Sequence, residues 1–172
     1  MQAFCFCSSL QSITIPDSVT KIGFEAFFQC TSLSSVSLSK NIKKIPFYCF
    51  CNCSLKNITI PGNVRRICKY AFLNCSSLKD VTIQNGVREI GRSAFSNCPS
   101  LTNIAIPNSV TEIGDYAFSE CSSLTNITIP NSVTKIGNYA FSKCSSITNI
   151  TIPNSVTEIG SSAFSECSSL TK

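Results

Sequence analysis

Cysteine is the reactive side chain that this sequence offers most often, with 12 copies among 172 residues. A thiol can form a disulfide, bind a metal ion or act as a nucleophile, and each use needs a particular spacing or partner. The cysteines that recur at one fixed position, called the ladder cysteines below, are Cys7, Cys30, Cys53, Cys75, Cys98, Cys121, Cys144 and Cys167. Their regular spacing is architectural, so we expect buried thiols; bridges between neighbouring repeats are the alternative.

The remaining cysteines are Cys5, Cys49, Cys51 and Cys68. They lie in Cys-x-Cys spacings or alone, whereas structural zinc sites use pairs of the Cys-x₂-Cys type. The sequence therefore predicts no metal site, and it contains no motif that indicates a cofactor.

Acid–base and nucleophilic catalysis lack their usual partner, because the sequence contains no histidine. A serine or cysteine nucleophile would then need a lysine or a carboxylate as its base. The carboxylates of Glu112, Glu120, Glu158 and Glu166 recur because the repeat was copied, which indicates solvated surface positions. We therefore predict no catalytic residue and a protein that is not an enzyme.

A repeat positions all of these residues. A phenylalanine precedes each ladder cysteine by three places, and the step is 23 residues except for one of 22 near Cys53. Within the unit 124–146, alternating isoleucines indicate a short strand that ends at Pro130. Gly137 is expected to take a positive φ at the next corner, and the apolar spacing of 140–144 is typical of one helical turn. In the early repeats Ile45-Pro46 and Ile67-Cys68 replace the usual Ile-Gly.

The apolar positions of one unit are too few to form a core alone, so neighbouring units must stack. We predict an α/β repeat solenoid, mostly β, in which parallel short strands are joined by helical turns and wind in a right-handed sense. The prediction places residues 1–172 in a single domain of about seven to eight repeats without distinct caps.

The unit L-x-x-I-x-I-P-x-x-V-x-x-I-G-x-x-A-F-x-x-C resembles the repeat of the BspA-like leucine-rich-repeat proteins along essentially the whole chain. The resemblance implies a leucine-rich-repeat solenoid of a cell-surface or secreted protein, of a family associated with adhesion to host proteins or to other cells. The sequence opens without a basic and apolar signal segment, which makes a cytoplasmic location the alternative. No apolar run reaches the ~18 residues of a membrane span.

Charges and tyrosines indicate where a non-enzymatic module would bind a protein or glycan ligand. Residues 40–92 hold ten of the 14 basic side chains and two acidic ones, Asp80 and Glu89, which gives a net charge of +8. The candidate binding residues are Tyr70, Tyr116, Tyr139, Arg65, Arg66, Lys69, Arg88 and Arg92. The alternative is a solvated, diverged stretch, and the absence of interleaved aromatic residues argues against a nucleic-acid ligand.

The sequence begins and stops at matching points of the repeat, so a second functional prediction is self-assembly end to end into filaments. The candidate self-association residues are Phe4, Leu10, Ile13, Ile15, Ile150, Ile152, Phe164 and Leu170. The alternative is that the chain is a piece of a longer array.

Overall fold

The computed structural model describes residues 2–171 of this chain. It consists of short parallel strands, each of which pairs with strands of the neighbouring coils. The strands are β1 (Ser12–Thr14), β2 (Ser35–Ser37), β3 (Lys44–Ile45), β4 (Asn57–Ile60), β5 (Arg66–Ile67), β6 (Asp80–Ile83), β7 (Glu89–Ile90), β8 (Asn103–Ala105), β9 (Glu112–Ile113), β10 (Lys135–Ile136) and β11 (Glu158–Ile159). Every pairing between them is parallel and joins equivalent positions of neighbouring repeats. The predicted solenoid of parallel short strands is confirmed.

The strands form three sheets on two sides of the coil. The Ile-x-Ile segments give a sheet of β1 and β2 and a sheet in the order β4-β6-β8, while the Val-x-x-Ile segments give a six-stranded sheet in the order β11-β10-β9-β7-β5-β3. The strand expected at 127–129 does not form, because only an isolated bridge between Asn103 and Asn126 continues that ladder. Ile127 and Ile129 are nevertheless buried, so their inward direction is as predicted.

A continuous column of phenylalanine rings fills the core. Neighbouring rings from Phe4 to Phe164 stack with centroids 5.0–5.6 Å apart and planes within 13° of parallel. The five rings of coils in the middle, Phe50 to Phe141, are fully buried. Each ring therefore obtains its contacts from the coils on either side, as expected for a repeat that cannot fold alone.

The predicted helical turn is wrong, since residues 2–171 contain no helix. Tyr139 and Lys143, which bracket the segment, have φ angles of 54° and 60°, whereas a right-handed helix needs negative φ throughout. Two tight turns form instead, with the Ser142 N–H donating to the Tyr139 carbonyl (3.1 Å) and the Cys144 N–H to the Phe141 carbonyl (3.2 Å). The apolar spacing is the same in both conformations.

Bonds between coils hold these left-handed residues in place. The N–H groups of Tyr139, Phe141 and Lys143 donate to carbonyls of the following coil at 3.0, 2.8 and 2.8 Å. A left-handed conformation costs roughly 1–2 kcal/mol for a residue with a side chain, so these bonds offset a real strain.

The expectation for Gly137 is also wrong, because its φ is not positive. A Cβ atom at this residue would lie 2.4 Å from the backbone nitrogen of Asp115 in the preceding coil. Glycine is thus required here by the close approach of two coils and not by the turn itself.

Candidate interaction face

The outward side of the six-stranded sheet continues into the turn that carries the tyrosines. Outward strand residues and turn residues line one open groove of about 680 Å³, which runs across several coils. We call this groove, together with the turn beside it, the tyrosine face. It comprises Arg66, Glu89, Glu112, Lys135 and Glu158 on the strands, Lys69, Arg92, Asp115 and Asn138 after the glycine position, and Tyr48, Tyr70, Tyr116 and Tyr139 on the turn. Its residues come from equivalent positions, so the repeat itself aligns them.

The three predicted tyrosines occupy equivalent positions on this face, but they do not form one continuous stripe. Tyr116 and Tyr139 stack at 4.9 Å between ring centroids, whereas Tyr70 stacks on Tyr48 at 4.7 Å. Ser93 occupies the same position in the coil between the two pairs. The face therefore presents two stacked pairs of rings with a gap between them.

Tyr48 was missed by reasoning from the sequence. The signal was present, since Tyr48 stands directly before the repeated phenylalanine segment, but Cys49 replaces the alanine that marks this position elsewhere. Burial raises the pKa of the Tyr48 phenol, and neighbouring Tyr70 raises it further. The ring is therefore neutral at physiological pH and offers a hydroxyl and an aromatic face for contacts.

The five predicted basic residues are brought together on two adjacent coils, yet two of them are neutralised within the chain. Arg66 forms an ion pair with Glu89 at 2.7 Å. Arg92 lies 3.7 Å from Asp115 and places its guanidinium 5.2 Å from the centre of the Tyr116 ring.

Other cations of this region have no such partner. No ion pair of residues 2–171 involves Arg65, Lys69 or Arg88. Arg65 and Arg88 follow Lys43 in one column, because the N–H of each donates to the backbone carbonyl of the preceding member at 2.8 and 2.9 Å. The unpaired positive charge therefore lies beside the tyrosine face, towards the early coils.

The ladder cysteines have environments that suit a neutral thiol. The sulfur of Cys98 donates to the Phe72 carbonyl at 3.3 Å, and Cys121 does the same to Phe95 at 3.2 Å. Burial raises the pKa of both thiols well above 9.0, and it raises that of Cys53 to about 12. All 12 cysteines of the structure are free thiols.

Metal binding and membrane crossing leave no sign in the described part of the chain. Residues 2–171 bring together no group of three or more cysteine or carboxylate side chains that could hold a metal ion. The same residues form no helix with the length and apolarity that a membrane crossing requires.

The self-association candidates divide between the two ends of the described stack. Most are partly exposed, whereas Ile15 is buried, with 8% of its surface accessible. An apolar hollow of about 350 Å³ lies at the N-terminal end and is lined in part by Phe4, Ile13 and Ile22.

A solenoid of parallel strands with stacked apolar columns and a 23-residue step has the architecture of a leucine-rich-repeat protein. The family of the BspA type leucine rich repeat region matches this chain in six copies, over residues 1–122 and 88–172. The chain belongs to this family. The comparison with curated proteins finds no match.

Several solved structures are similar. A leucine-rich repeat protein from Bacteroides ovatus is 29% identical, with a TM-score of 0.71 over 98% of this chain and 56% of its own. One from Eubacterium ventriosum is 26% identical, with a TM-score of 0.83 over 94% of this chain and 44% of its own. A leucine rich cell surface protein from Faecalibacterium prausnitzii is 30% identical, with a TM-score of 0.52 over 99% of this chain and 61% of its own. The chain thus spans between 44% and 61% of these relatives.

Proposed function

We propose that this protein is a non-enzymatic interaction module that binds a protein or glycan ligand through its tyrosine face, as an adhesive protein of the cell surface. Leucine-rich-repeat proteins typically bind other proteins, and the family is generally non-enzymatic. The similar protein from Faecalibacterium prausnitzii is described as a cell surface protein, which supports the location.

The observation that carries this proposal is a face with two stacked tyrosine pairs, with the unpaired Arg65 and Lys69 on the coil that carries Tyr70. Tyrosine and arginine are enriched at the centres of protein interfaces, because their large side chains combine apolar contact with hydrogen bonding. Tyr139 is 36% exposed, and Arg65 and Arg88 lie exposed on neighbouring coils. The opposite sheet offers mainly Ser, Thr and Asn side chains, which makes it a poorer anchor.

A binding panel of glycans and host-matrix proteins at physiological salt tests the proposal. We expect at least one ligand to lose about tenfold in affinity when Arg65→Glu and Arg88→Glu are combined, and again when Tyr116→Ser and Tyr139→Ser are combined. The matched control reverses two lysines of the opposite face, Lys56→Glu and Lys79→Glu. Equal losses in the control, or no ligand at all, would contradict the proposal.

End-to-end self-association is a second candidate function. The apolar hollow at the N-terminal end favours it, because the coil of a second copy would fill the space that an earlier coil fills elsewhere in the stack. Further coils of a longer chain would fill the same space. A second copy of this chain would make the measured mass rise with protein concentration, whereas further coils of the same chain would not.

A further inference from the structure

The hydrogen-bond ladder that joins the Val-x-x-Ile segments of residues 2–171 has one gap, between the first two coils. Elsewhere the residue after the repeated valine donates its N–H to the preceding coil, as Arg65 does to Lys43 (2.8 Å) and Thr134 to Thr111 (3.0 Å). Within residues 2–171, no backbone hydrogen bond joins 20–22 to 42–46. The two coils are nonetheless joined on both sides of this gap, since Ile15 N donates to Ser37 O at 2.8 Å and Glu25 N to Phe47 O at 2.9 Å.

Pro46 accounts for part of this gap. The equivalent residues Cys68, Gly91 and Gly114 each donate an N–H to the isoleucine carbonyl of the preceding coil, at 2.9, 2.9 and 2.8 Å. Proline has no N–H, so the Ile22 carbonyl cannot receive the corresponding bond. The coils separate locally and leave a slot between them.

Three lysines line the slot. Its volume is about 580 Å³, and its lining residues are Thr20, Lys21, Ile22, Asn41, Lys43 and Lys44. None of the three lysines takes part in an ion pair of residues 2–171. Three unpaired ammonium groups around one hollow strongly favour an anionic occupant.

The walls of the slot also offer neutral hydrogen-bonding groups. Because ladder bonds run from an N–H of one coil to a carbonyl of the coil before it, the Thr20 and Ile22 carbonyls and the Lys43 N–H are left without their ladder partners. An occupant that carries hydroxyl groups can donate to the carbonyls and accept from the N–H. A simple inorganic anion can accept bonds but cannot donate to the carbonyls.

Two exposed aromatic rings follow the slot on the same two coils. Phe24 is 53% exposed and Phe47 is 45% exposed, and they occupy equivalent positions just after the slot residues. Flat apolar rings on the residues that follow the slot suit the apolar face of a sugar ring, which stacks on aromatic side chains. The slot volume falls within the roughly 300–1,000 Å³ of ordinary ligand pockets.

We propose that this slot binds an acidic sugar unit, carrying a carboxylate or a sulfate, of an anionic polysaccharide. The inference deepens the proposed function, on which it rests, by naming the ligand class and a second contact region beside the tyrosine face. The lysines bind the acidic group, the freed backbone groups bind sugar hydroxyls, and the polymer continues across the neighbouring unpaired cations.

Calorimetric titration of the full chain with heparin, polygalacturonate and dextran tests this inference. We expect heparin or polygalacturonate to bind at physiological salt and neutral dextran not to bind; which of the two acidic polymers binds distinguishes sulfate from carboxylate recognition. Lys21→Gln combined with Lys44→Gln should weaken binding about tenfold, because charge-assisted hydrogen bonds are lost. The control combines Lys56→Gln with Lys79→Gln, which removes the same charge from the opposite face, and it should weaken binding far less.

A second variant changes the slot without changing the charge. Pro46→Gly restores both the N–H and the residue type that later coils have at this position, so we expect the ladder to close and the affinity to fall about tenfold. Circular dichroism and the Tm show whether the variants are folded. Unchanged affinity in both Pro46→Gly and the lysine pair would overturn the slot as the site.

The outcomes separate this inference from the proposed function. Binding that is lost with Arg65→Glu and Arg88→Glu, but not with the slot variants, supports the tyrosine face and overturns the slot. Binding that is lost only with the slot variants supports the slot and overturns the tyrosine face. Equal, slot-dependent binding of polyglutamate would overturn the assignment to a sugar, and failure of both acidic polysaccharides to bind would overturn the inference while a protein ligand still supported the tyrosine face.

Discussion

The ladder cysteines act as hydrogen-bond donors, and this role depends on their protonation. The Sγ of Cys75, Cys144 and other ladder cysteines lies 3.0–3.3 Å from a phenylalanine carbonyl of the preceding coil. A thiolate could not donate this bond, and its charge would be buried among apolar side chains. The fold therefore stabilises the neutral form of each buried thiol.

A dependence of stability on alkaline pH follows. The folded-state pKa is raised from 9.0 to about 12 for Cys53 and well above 9.0 for Cys98 and Cys121, in each case mainly by burial. The corresponding stability is fully present below 9.0 and is lost as the pH rises towards the folded-state values. Urea unfolding should show a free energy of unfolding that falls above pH 9.0, with a smaller slope in Cys98→Ala combined with Cys121→Ala. A free energy that is constant from about pH 8 to 10 would contradict this account.

The phenylalanine column makes a single ring important to several coils. Phe118 is fully buried and stacks on Phe95 and Phe141 at 5.6 and 5.3 Å. Phe118→Ala should lower the free energy of unfolding by about 3–5 kcal/mol, measured by chemical denaturation. The exposed Thr128→Ala provides the control and should change it by less than about 0.5 kcal/mol. A loss below about 1 kcal/mol in Phe118→Ala would show that the column does not carry the core.

The two consecutive tight turns of each coil, called the double turn, place a residue with positive φ next to one without it. Ser162 has a φ of 55°, whereas its neighbour Ser161 has no positive φ. Ser162→Gly should raise the free energy of unfolding by up to about 1 kcal/mol, because glycine adopts this conformation without strain. Ser161→Gly should lower it by a similar amount through lost chain entropy. Thermal unfolding of both variants measures the difference, and equal effects of the same sign would contradict the turn geometry.

The inward residues and most of the strands could be predicted from the sequence, because two-residue alternation and a fixed repeat length determine which side chains point inward. At 127–129 the inward direction was right, but the strand does not form. The turn could not be predicted, since residues 140, 141 and 144 share one side in a helix and in a double turn alike. The residue types of Tyr139 and Lys143 did not indicate a turn either, because residues with positive φ are usually glycine or asparagine. The slot could not be predicted from Pro46 alone. Its effect depends on the direction of the ladder bonds, in which the residue at this position donates its N–H to the preceding coil.

The candidate face was predicted only in its composition. Equivalent repeat positions were enough to place Tyr116 beside Tyr139, as well as Arg65 beside Arg88. The same rule places Glu89 beside Arg66, and their ion pair shows that a count of charges along the sequence overstates the positive charge left free. The distribution of unpaired charge is therefore a result of the stacking and not of the local sequence.

At the scale of the whole molecule, the ends of the stack lead to a prediction about mass. Phe4 is 38% exposed, and Ile13 lines the apolar hollow at the same end. If copies stack end to end, the mass measured by light scattering should rise with concentration, and Ile13→Lys should abolish the rise because a charge cannot enter the contact without cost. Ser12→Lys, which adds the same charge at an exposed position that does not line the hollow, is the control. A single monomer mass up to millimolar concentration would remove this candidate function.

The ladder of thiols gives each coil its own chemical reporter. A thiol that is buried and bonded to the preceding coil reacts with an alkylating reagent only after the two coils part. The labelling rates at Cys30, Cys75, Cys121 and Cys144, compared by mass spectrometry, would therefore rank the opening free energies of successive coils. The wild-type chain thus contains, at intervals of one repeat, the probes from which the order of its own unravelling can be measured.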